Sequence, residues 1–350
     1  MQKLPLTEVK AGMKLAKDVI LEDGRILLLK GFTIKPRYLS KLKAYDVPFI
    51  FVEDEIVELD EISEERVYED AFTNIKGIMQ SIRYDEKVDI VQLKETVNDM
   101  VQHILNDDMV FMTLTGIRDI DNYTFLHSVD VCIYAVVTAK ALGMEYDDIY
   151  ELAMAAILHD VGKCKVPLSI LNKPGKLTTE EFEVMKRHAI SGLEIASQLP
   201  GLSEKIARII CQHHEKWDGS GYPLGLNSYD IELGARIISI ADVYDALTAN
   251  RVYRKRFMPH EAAEYLMANN ESQFDPRIMK CFINSIAIYP KDIVVLLNTG
   301  EVARVLPSKG MASMRPKVSV ITRKDGPPVF DPYEIDLRKN PTIFVVDIIS

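Results

Sequence analysis

Histidine and aspartate are the residue types in this sequence whose spacing could do chemistry, and they cluster. The apolar run Ala155-Ala156-Ile157-Leu158 leads directly into His159-Asp160-Val161-Gly162-Lys163. Downstream lie His188, the doublet His213–His214, the turn Asp218-Gly219-Ser220-Gly221-Tyr222-Pro223, and Asp242. Asp242 sits inside a second apolar run, Ile237-Ile238-Ser239-Ile240-Ala241-Asp242-Val243. Burying a carboxylate among Ile and Val is costly unless a hydrogen-bonded partner or a metal compensates it. Imidazole nitrogens and carboxylate oxygens are the ligands that zinc, manganese and iron(II) accept. Four of the seven histidines fall between Ala156 and Asp245, and a fifth, His127, lies one helix upstream. The pattern points to a divalent-metal site.

His159-Asp160 with Gly162-Lys163, then His213-His214 and Gly221-Tyr222-Pro223, resembles the HD-GYP branch of the HD phosphohydrolases. Tyr123-Thr124-Phe125-Leu126-His127-Ser128 before them and Ala241–Thr248 after them fit the same family. The resemblance runs from roughly Asp119 to Phe282, and the ordered set is specific where a lone His-Asp pair is not. It implies that His127, His159, Asp160 and Asp242 hold one metal ion. Asp160 would bridge to a second ion completed by His188, His213 and His214, because a carboxylate has two oxygens to share. Iron or manganese is the expected metal, with zinc, magnesium and nickel as alternatives. The two ions would polarise a shared water, so that a bridging hydroxide forms near neutral pH and attacks phosphorus. Part of the family holds a third metal through a glutamate four residues before the first ligand histidine. Here that position is Tyr123, a poor ligand, so a two-metal site is expected.

Lys163 follows Asp160 by just under one helical turn and so shares its face. The resemblance makes Lys163 and Asp160 the catalytic pair, with Lys163 bound to a phosphate and stabilising the departing oxygen, where charge builds. A surface lysine near a helix end is the alternative. Arg251 and Arg254 match the family's substrate contacts, and their planar forks suit phosphate or a guanine edge. A solvated basic turn would use the same residues. Tyr222 is a further expected substrate contact, and the Gly221-Tyr222-Pro223 loop is implicated in contact with protein partners. The implied activity is hydrolysis of cyclic di-GMP to pGpG and onward to GMP, with the substrate resting on the resemblance alone. Hydrolysis of another cyclic dinucleotide such as cyclic GMP-AMP is one alternative. A receptor that binds cyclic di-GMP without cutting it is another, although this chain keeps every ligand that degenerate members lose.

The elements that must position these residues read as mainly α. Residues 119–287 read as a helical bundle of HD type, broken at Gly143, at Asn172–Lys176 and at Asp218–Gly225, with Thr178-Thr179-Glu180-Glu181 as a capping run. No strand-helix-strand alternation and no Gly-rich phosphate loop appears, which argues against a nucleotide-binding α/β sheet. Upstream, residues 59–118 supply two linking helices, expected at Ser63–Tyr84 and Lys87–Asn106, after an acidic, solvated linker. His103 on the second is a core or surface histidine, not a ligand. Residues 1–58 form a small α+β unit. In it Lys14–Leu21 and Arg25–Leu29 flank a hairpin turn, a short helix carries Leu39, Leu42 and Tyr45, and Phe49–Val52 is a closing strand. Packing, dimer contact or regulation are the roles open to it. Residues 288–350 form a small β domain, with strands expected at Asp292–Asn298, Glu301–Leu306, Lys317–Ile321, Tyr333–Asp336 and Thr342–Val346.

A net charge of −10 argues against a general DNA or RNA binder. It leaves room for a small anion, since metal ions and local Arg and Lys set the field at a site. Cys132, Cys211 and Cys281 read as buried thiols, and Cys164, nearer the site, as a thiol with metal ligation as the lesser alternative. No apolar run is long enough to span a membrane and the first residues carry no signal core. A cytoplasmic protein, with a homodimer left open, is the expectation.

Overall fold

A computed structural model describes residues 2–10, 13–17, 19–20, 26–28, 34, 39, 42–43, 47–56, 64–88, 90–106, 123–249, 257–286, 288–289, 291–308, 310–323 and 328–349. The architecture is mainly α, with a small sheet at either end of a helical bundle. At the centre of the bundle is α4 (Tyr146–Leu158), in which Ile149 and every residue from Leu152 to Leu158 are buried. A helix that is apolar on all sides must be enclosed. Around it stand α2 (Val91–Asn106), α3 (Tyr123–Leu142), α8 (Glu204–Gln212) and α9 (Leu233–Thr248). α1 (Glu64–Arg83) lies across α2 and α3 and reaches the 3-10 turn Val161–Lys165 that follows α4.

Caps set the remaining helix starts. α6 (Thr179–Lys186) begins with a reciprocal capping box between Thr178 and Glu181, as its sequence predicts. Ser203 accepts the Ile206 N–H at the start of α8, and Asp275 accepts the Arg277 N–H before α11 (Pro276–Ser285). α5 (Leu168–Leu171), α7 (His188–Gln198) and α10 (Pro259–Ala268) complete the bundle. α2 starts four residues later than the Lys87 expectation, because the chain first turns through Asp85, whose φ is 59°.

At the N-terminus, β1 (Gln2–Pro5), β2 (Met13–Leu15) and β5 (Phe49–Ile56) form an antiparallel sheet in the order β1–β5–β2. β3 (Val19–Ile20) and β4 (Ile26–Leu28) pair separately. Two expectations need correcting here. Lys14–Leu21 is not one strand but parts of two, and Phe49–Val52 extends to Ile56 and sits at the middle of its sheet. Its second neighbour, Gln2-Lys3-Leu4-Pro5, is short and polar, with no alternation to betray a strand. The turn Glu22-Asp23-Gly24 and Tyr45 lie outside the described residues, while Leu39 and Leu42 are helical. Leu15, Ile34, Leu42, Ile50 and Val52 make a core of their own.

At the C-terminus, β6 (Val294–Leu297), β7 (Val302–Val305), β8 (Lys317–Thr322), β9 (Pro328–Asp336) and β10 (Val345–Ile348) form an antiparallel sheet in the order β10–β6–β7–β8–β9. The last two strands start at Pro328 and Val345, not at Tyr333 and Thr342. Val295, Leu297, Ala303, Val305, Val318 and Val320 belong to the same continuous core as the bundle. Among the described residues no helix is long and apolar enough to cross a membrane.

Candidate metal centre

Helix ends deliver most of the expected ligands to one place. His159 closes α4, and Asp160 opens the 3-10 turn behind it. His188 is the first residue of α7, His213 caps the C-terminus of α8, and His214 follows it. His127 comes from the first turns of α3 and Asp242 from the middle of α9. Their donor atoms form three overlapping groups: His127, His159 and Asp242; His159, Asp160 and His213; His188, His213 and His214. Asp160 is central. Its Oδ2 lies 3.4 Å from His159 Nε2, 4.0 Å from His127 Nε2 and 2.5 Å from Lys163 Nζ, and its Oδ1 lies 3.6 Å from His188 Nε2.

Two glycines permit this convergence. A Cβ on Gly162 would stand 1.9 Å from the His188 carbonyl oxygen and 2.6 Å from the Gly192 amide nitrogen. The turn bearing Asp160 and Lys163 is thus laid directly on α7, backbone against backbone. α1 braces its other side, where Arg83 donates to the Lys163 carbonyl at 3.3 Å and Cys164 Sγ donates to the Met79 carbonyl at 3.2 Å.

The imidazoles are oriented by their second nitrogens. Nδ1 of His159, His188 and His213 each hydrogen-bonds the carbonyl three residues earlier, of Ala156, Met185 and Ile210, at 2.6–2.7 Å. Nδ1 of His127 instead meets Oδ2 of buried Asp245 at 2.6 Å. Tying Nδ1 to an acceptor leaves the Nε2 lone pair for a metal, the arrangement ligating histidines adopt. His159 Nε2 and Asp160 Oδ1 are buried without any hydrogen-bond partner among the described residues. Such atoms are costly unless an ion claims them, so the residues present fit divalent metal.

Charge is arranged accordingly. Burial alone would raise the Asp160 carboxyl, but the Lys163 ammonium and the His159 and His188 rings hold it well below the usual carboxylate range. Burial pushes His188 and His213 down, with neighbouring imidazoles adding to the effect on His213, and it holds His214 at about 3. These three are neutral at physiological pH, the form a metal binds. His127 behaves differently. Burial lowers it, but the Asp242 and Asp245 carboxylates outweigh burial and raise it to about 9, so without metal it is an imidazolium between two anions.

Beside the centre, the 218–226 loop is held by Glu215. That buried carboxylate accepts the N–H groups of Leu224, Gly225 and Leu226 at 2.6–3.2 Å. Gly221 passes so close to the Glu215–Lys216 backbone that a Cβ would lie 2.3 Å from the Lys216 nitrogen. Tyr222 lies against His214, ring centroids 4.8 Å apart. Burial, with the Asp242 and Asp160 charges behind it, raises the Tyr222 phenol, which keeps its proton. Trp217 anchors the loop's other side: its backbone N–H donates to the Gln273 carbonyl, its ring meets Tyr229, and the Arg236 guanidinium covers both rings while binding Asp275 at 2.7 Å.

All seven expected ligands, with Lys163 and Tyr222, thus fall in one cluster. Arg251 and Arg254 lie outside the described residues, as does the side chain of Tyr123. His103 is half-buried in the last turn of α2 and belongs to none of the ligand groups, and Cys164 is a protonated thiol bonded to a carbonyl. Sequence reasoning assigned no role to Asp245 or Glu215. Asp245 could have been found by its position one turn after Asp242. Glu215 offered no such signal, because its partners are backbone amides.

The HD domain family matches residues 99–278, just over half of the chain, and a KOW domain associated with HD domain matches residues 294–350. A cyclic di-GMP phosphodiesterase of Pseudomonas aeruginosa is 33% identical over 246 residues, 70% of this chain and 59% of that protein. A 3'3'-cGAMP-specific phosphodiesterase of Vibrio cholerae is 33% identical over 238 residues, 68% and 42% of the two chains. A cyclic di-GMP phosphodiesterase response regulator of Xanthomonas campestris is 42% identical over 154 residues, 44% and 41%. The chain spans about half the length of these relatives. Among solved structures, a HDG"Y"P protein of Bdellovibrio bacteriovorus shares the fold, with a TM-score of 0.55, 19% identity, and coverage of 80% of this chain and 97% of that one. The histidines and aspartates gathered around Asp160 lie within the matched span, and the chain belongs to the HD domain family, in its HD-GYP branch.

Proposed function

We propose that this chain is a metal-dependent phosphodiesterase that hydrolyses cyclic di-GMP to pGpG and onward to GMP. The observation that carries the proposal is the set of three ligand groups sharing His159 and His213, with Asp160 between them and Lys163 bonded to it. The HD domain family is metal-dependent, and the donor set suits iron or manganese. His127, His159, Asp160 and Asp242 would hold one ion, and Asp160, His188, His213 and His214 a second. When bound, the ions supply a more acidic water and positive charge beside phosphorus.

The chain's own residues do the rest. Lys163 has one N–H on Asp160 and is a quarter exposed, so its remaining donors can meet a phosphate oxygen and the departing 3′-oxygen. The Asp245 carboxylate fixes the ring of His127, and three backbone carbonyls fix those of His159, His188 and His213, so the cluster needs no rearrangement to bind. Tyr222, protonated and beside His214, can donate its O–H to substrate. Arg251 and Arg254 are assigned to the substrate's phosphate and guanine, on the strength of their match to the family pattern. The Gly221-Tyr222-Pro223 loop, with Leu224 exposed next to it, is assigned to contact with protein partners. The name of the Vibrio cholerae relative makes cyclic GMP-AMP the second candidate substrate.

The test is turnover of cyclic di-GMP by protein purified without oxygen and loaded with iron(II) or manganese(II), with products separated by chromatography. Linear pGpG or GMP is expected from the wild type and none from Asp160→Asn. Competition with cyclic GMP-AMP ranks the two substrates. Binding of cyclic di-GMP without turnover would instead make the chain a receptor.

A further inference from the structure

α6 is an eight-residue helix without a single buried residue. It contributes nothing to the core, yet it is firmly built: Thr178 and Glu181 cap it reciprocally, and Lys173 donates to Glu181 at 2.6 Å. What it holds in place is the rim of the metal centre. Phe182 is 44% exposed, and its ring meets Tyr222 edge-on at 6.3 Å. Tyr222 in turn lies against His214 and faces His188. Lys186 Nζ stands 5.2 Å from the Phe182 ring centroid and 5.7 Å from that of Tyr222. It bonds Glu183 at 2.6 Å, which uses one of its three N–H donors.

A half-exposed phenylalanine ring with a lysine ammonium over it, one ring away from two expected metal ligands, has a definite complement. We infer that Phe182 and Lys186 form the purine-receiving edge of the site and set its preference for guanine. Phe182 offers a face for stacking, and Lys186 a donor for the O6 and N7 acceptors that guanine carries and adenine does not match. The inference deepens the phosphodiesterase reading and rests on it, since a substrate without bases would leave the edge unused. Neither residue is within the ligand groups, so both act on binding and selectivity, not on bond cleavage.

The experiment compares wild type, Phe182→Ala, Phe182→Trp, Lys186→Met and Lys186→Arg as full-length, metal-loaded proteins. Three quantities are read: KM and kcat for cyclic di-GMP and cyclic di-AMP, the Kd of a hydrolysis-resistant phosphorothioate analogue of cyclic di-GMP, and turnover of a simple dialkyl phosphodiester. Loss of one stacked base is expected to raise KM and Kd about tenfold in Phe182→Ala, with kcat within about twofold. Turnover of the dialkyl ester stays at the wild-type level, and Phe182→Trp restores binding. Lys186→Met is expected to narrow the guanine-over-adenine preference about tenfold, and Lys186→Arg to retain it. If the wild type binds the analogue and neither variant changes Kd or selectivity, the assignment of this edge is wrong and the phosphodiesterase reading stands. A fall in kcat for both ester and dinucleotide would make α6 a mere support for His188 and also overturn the assignment. If the wild type cleaves the dialkyl ester but does not bind the analogue, the cyclic-dinucleotide reading itself fails.

Discussion

At the scale of single residues, the site is a set of imidazoles, four of which have Nδ1 already committed and Nε2 turned to the centre. Asp245 shows the point most sharply, as a fully buried carboxylate serving one ring nitrogen of His127. Asp245→Asn is expected to weaken divalent-ion affinity about 10- to 100-fold while leaving the circular dichroism spectrum unchanged. Chelator competition measures the affinity, and an unchanged value would reduce Asp245 to a packing role. A pH dependence follows from the same residue. His127 without metal is raised to about 9, so at pH 7 it is protonated and must release that proton when an ion binds. Affinity should therefore rise with pH, by up to about tenfold per unit, and level off near pH 9. Manganese titrations between pH 6.5 and 8.5 test the slope, and a flat profile would mean that His127 does not ligate. The expected ligand set was legible in the sequence only in part from physical cost, which marks Asp160 and Asp242 as carboxylates in or beside apolar runs; the histidines followed from their order in the family pattern. Asp245 was marked only by its place one turn after Asp242, since its partner lies on α3, and Glu215 carried no signal at all, because its partners are backbone amides of the 218–226 loop.

At the scale of elements, the decisive contact is the 3-10 turn after α4 lying on the first turn of α7. Gly162→Ala places a methyl group into the His188 carbonyl. Backbone cannot move aside as a side chain can, so a cost of roughly 3 kcal/mol or more is expected, together with loss of metal as Asp160 and His188 separate. Thermal denaturation and metal content of the purified variant read the two effects; retention of both would mean the turn can ride up without opening the site. The helix over Lys87–Asn106 was readable from its apolar periodicity and the start of α6 from its Thr178 capping run, whereas the caps at Ser203 and Asp275 emerged only in the structure. The crossing of the helices was not readable, since a glycine in His-Asp-Val-Gly-Lys has the same letter whether it faces solvent or another backbone. The central place of β5 was hidden for a related reason, as its neighbour β1 is too short and polar to announce itself.

For the molecule as a whole, the two sheets stand in different relations to the bundle. The N-terminal sheet has its own core, whereas the buried residues of the C-terminal sheet are continuous with those of α9, α10 and α11. Removing residues 288–350 would strip Val295, Leu297 and Val305 from a shared interior and take away the Tyr289 hydroxyl that bonds His260 of α10. A fall in Tm of more than about 10 °C, or loss of folded protein, is expected. Removing residues 1–58 is expected to leave the midpoint of the bundle within about 3 °C. Calorimetry of the two truncations decides, and equal effects would contradict the partition of the core. The sequence announced a change of texture near Ile288, but two adjoining textures carry no information on whether their interiors merge.

Trp217, held between the Gln273 carbonyl, Tyr229 and Arg236 at the base of the 218–226 loop, is the single tryptophan of the chain. Its emission therefore has one origin, within a few residues of His213 and His214. The protein thus carries a single native optical probe in the loop beside its candidate metal centre, one that needs no attached dye.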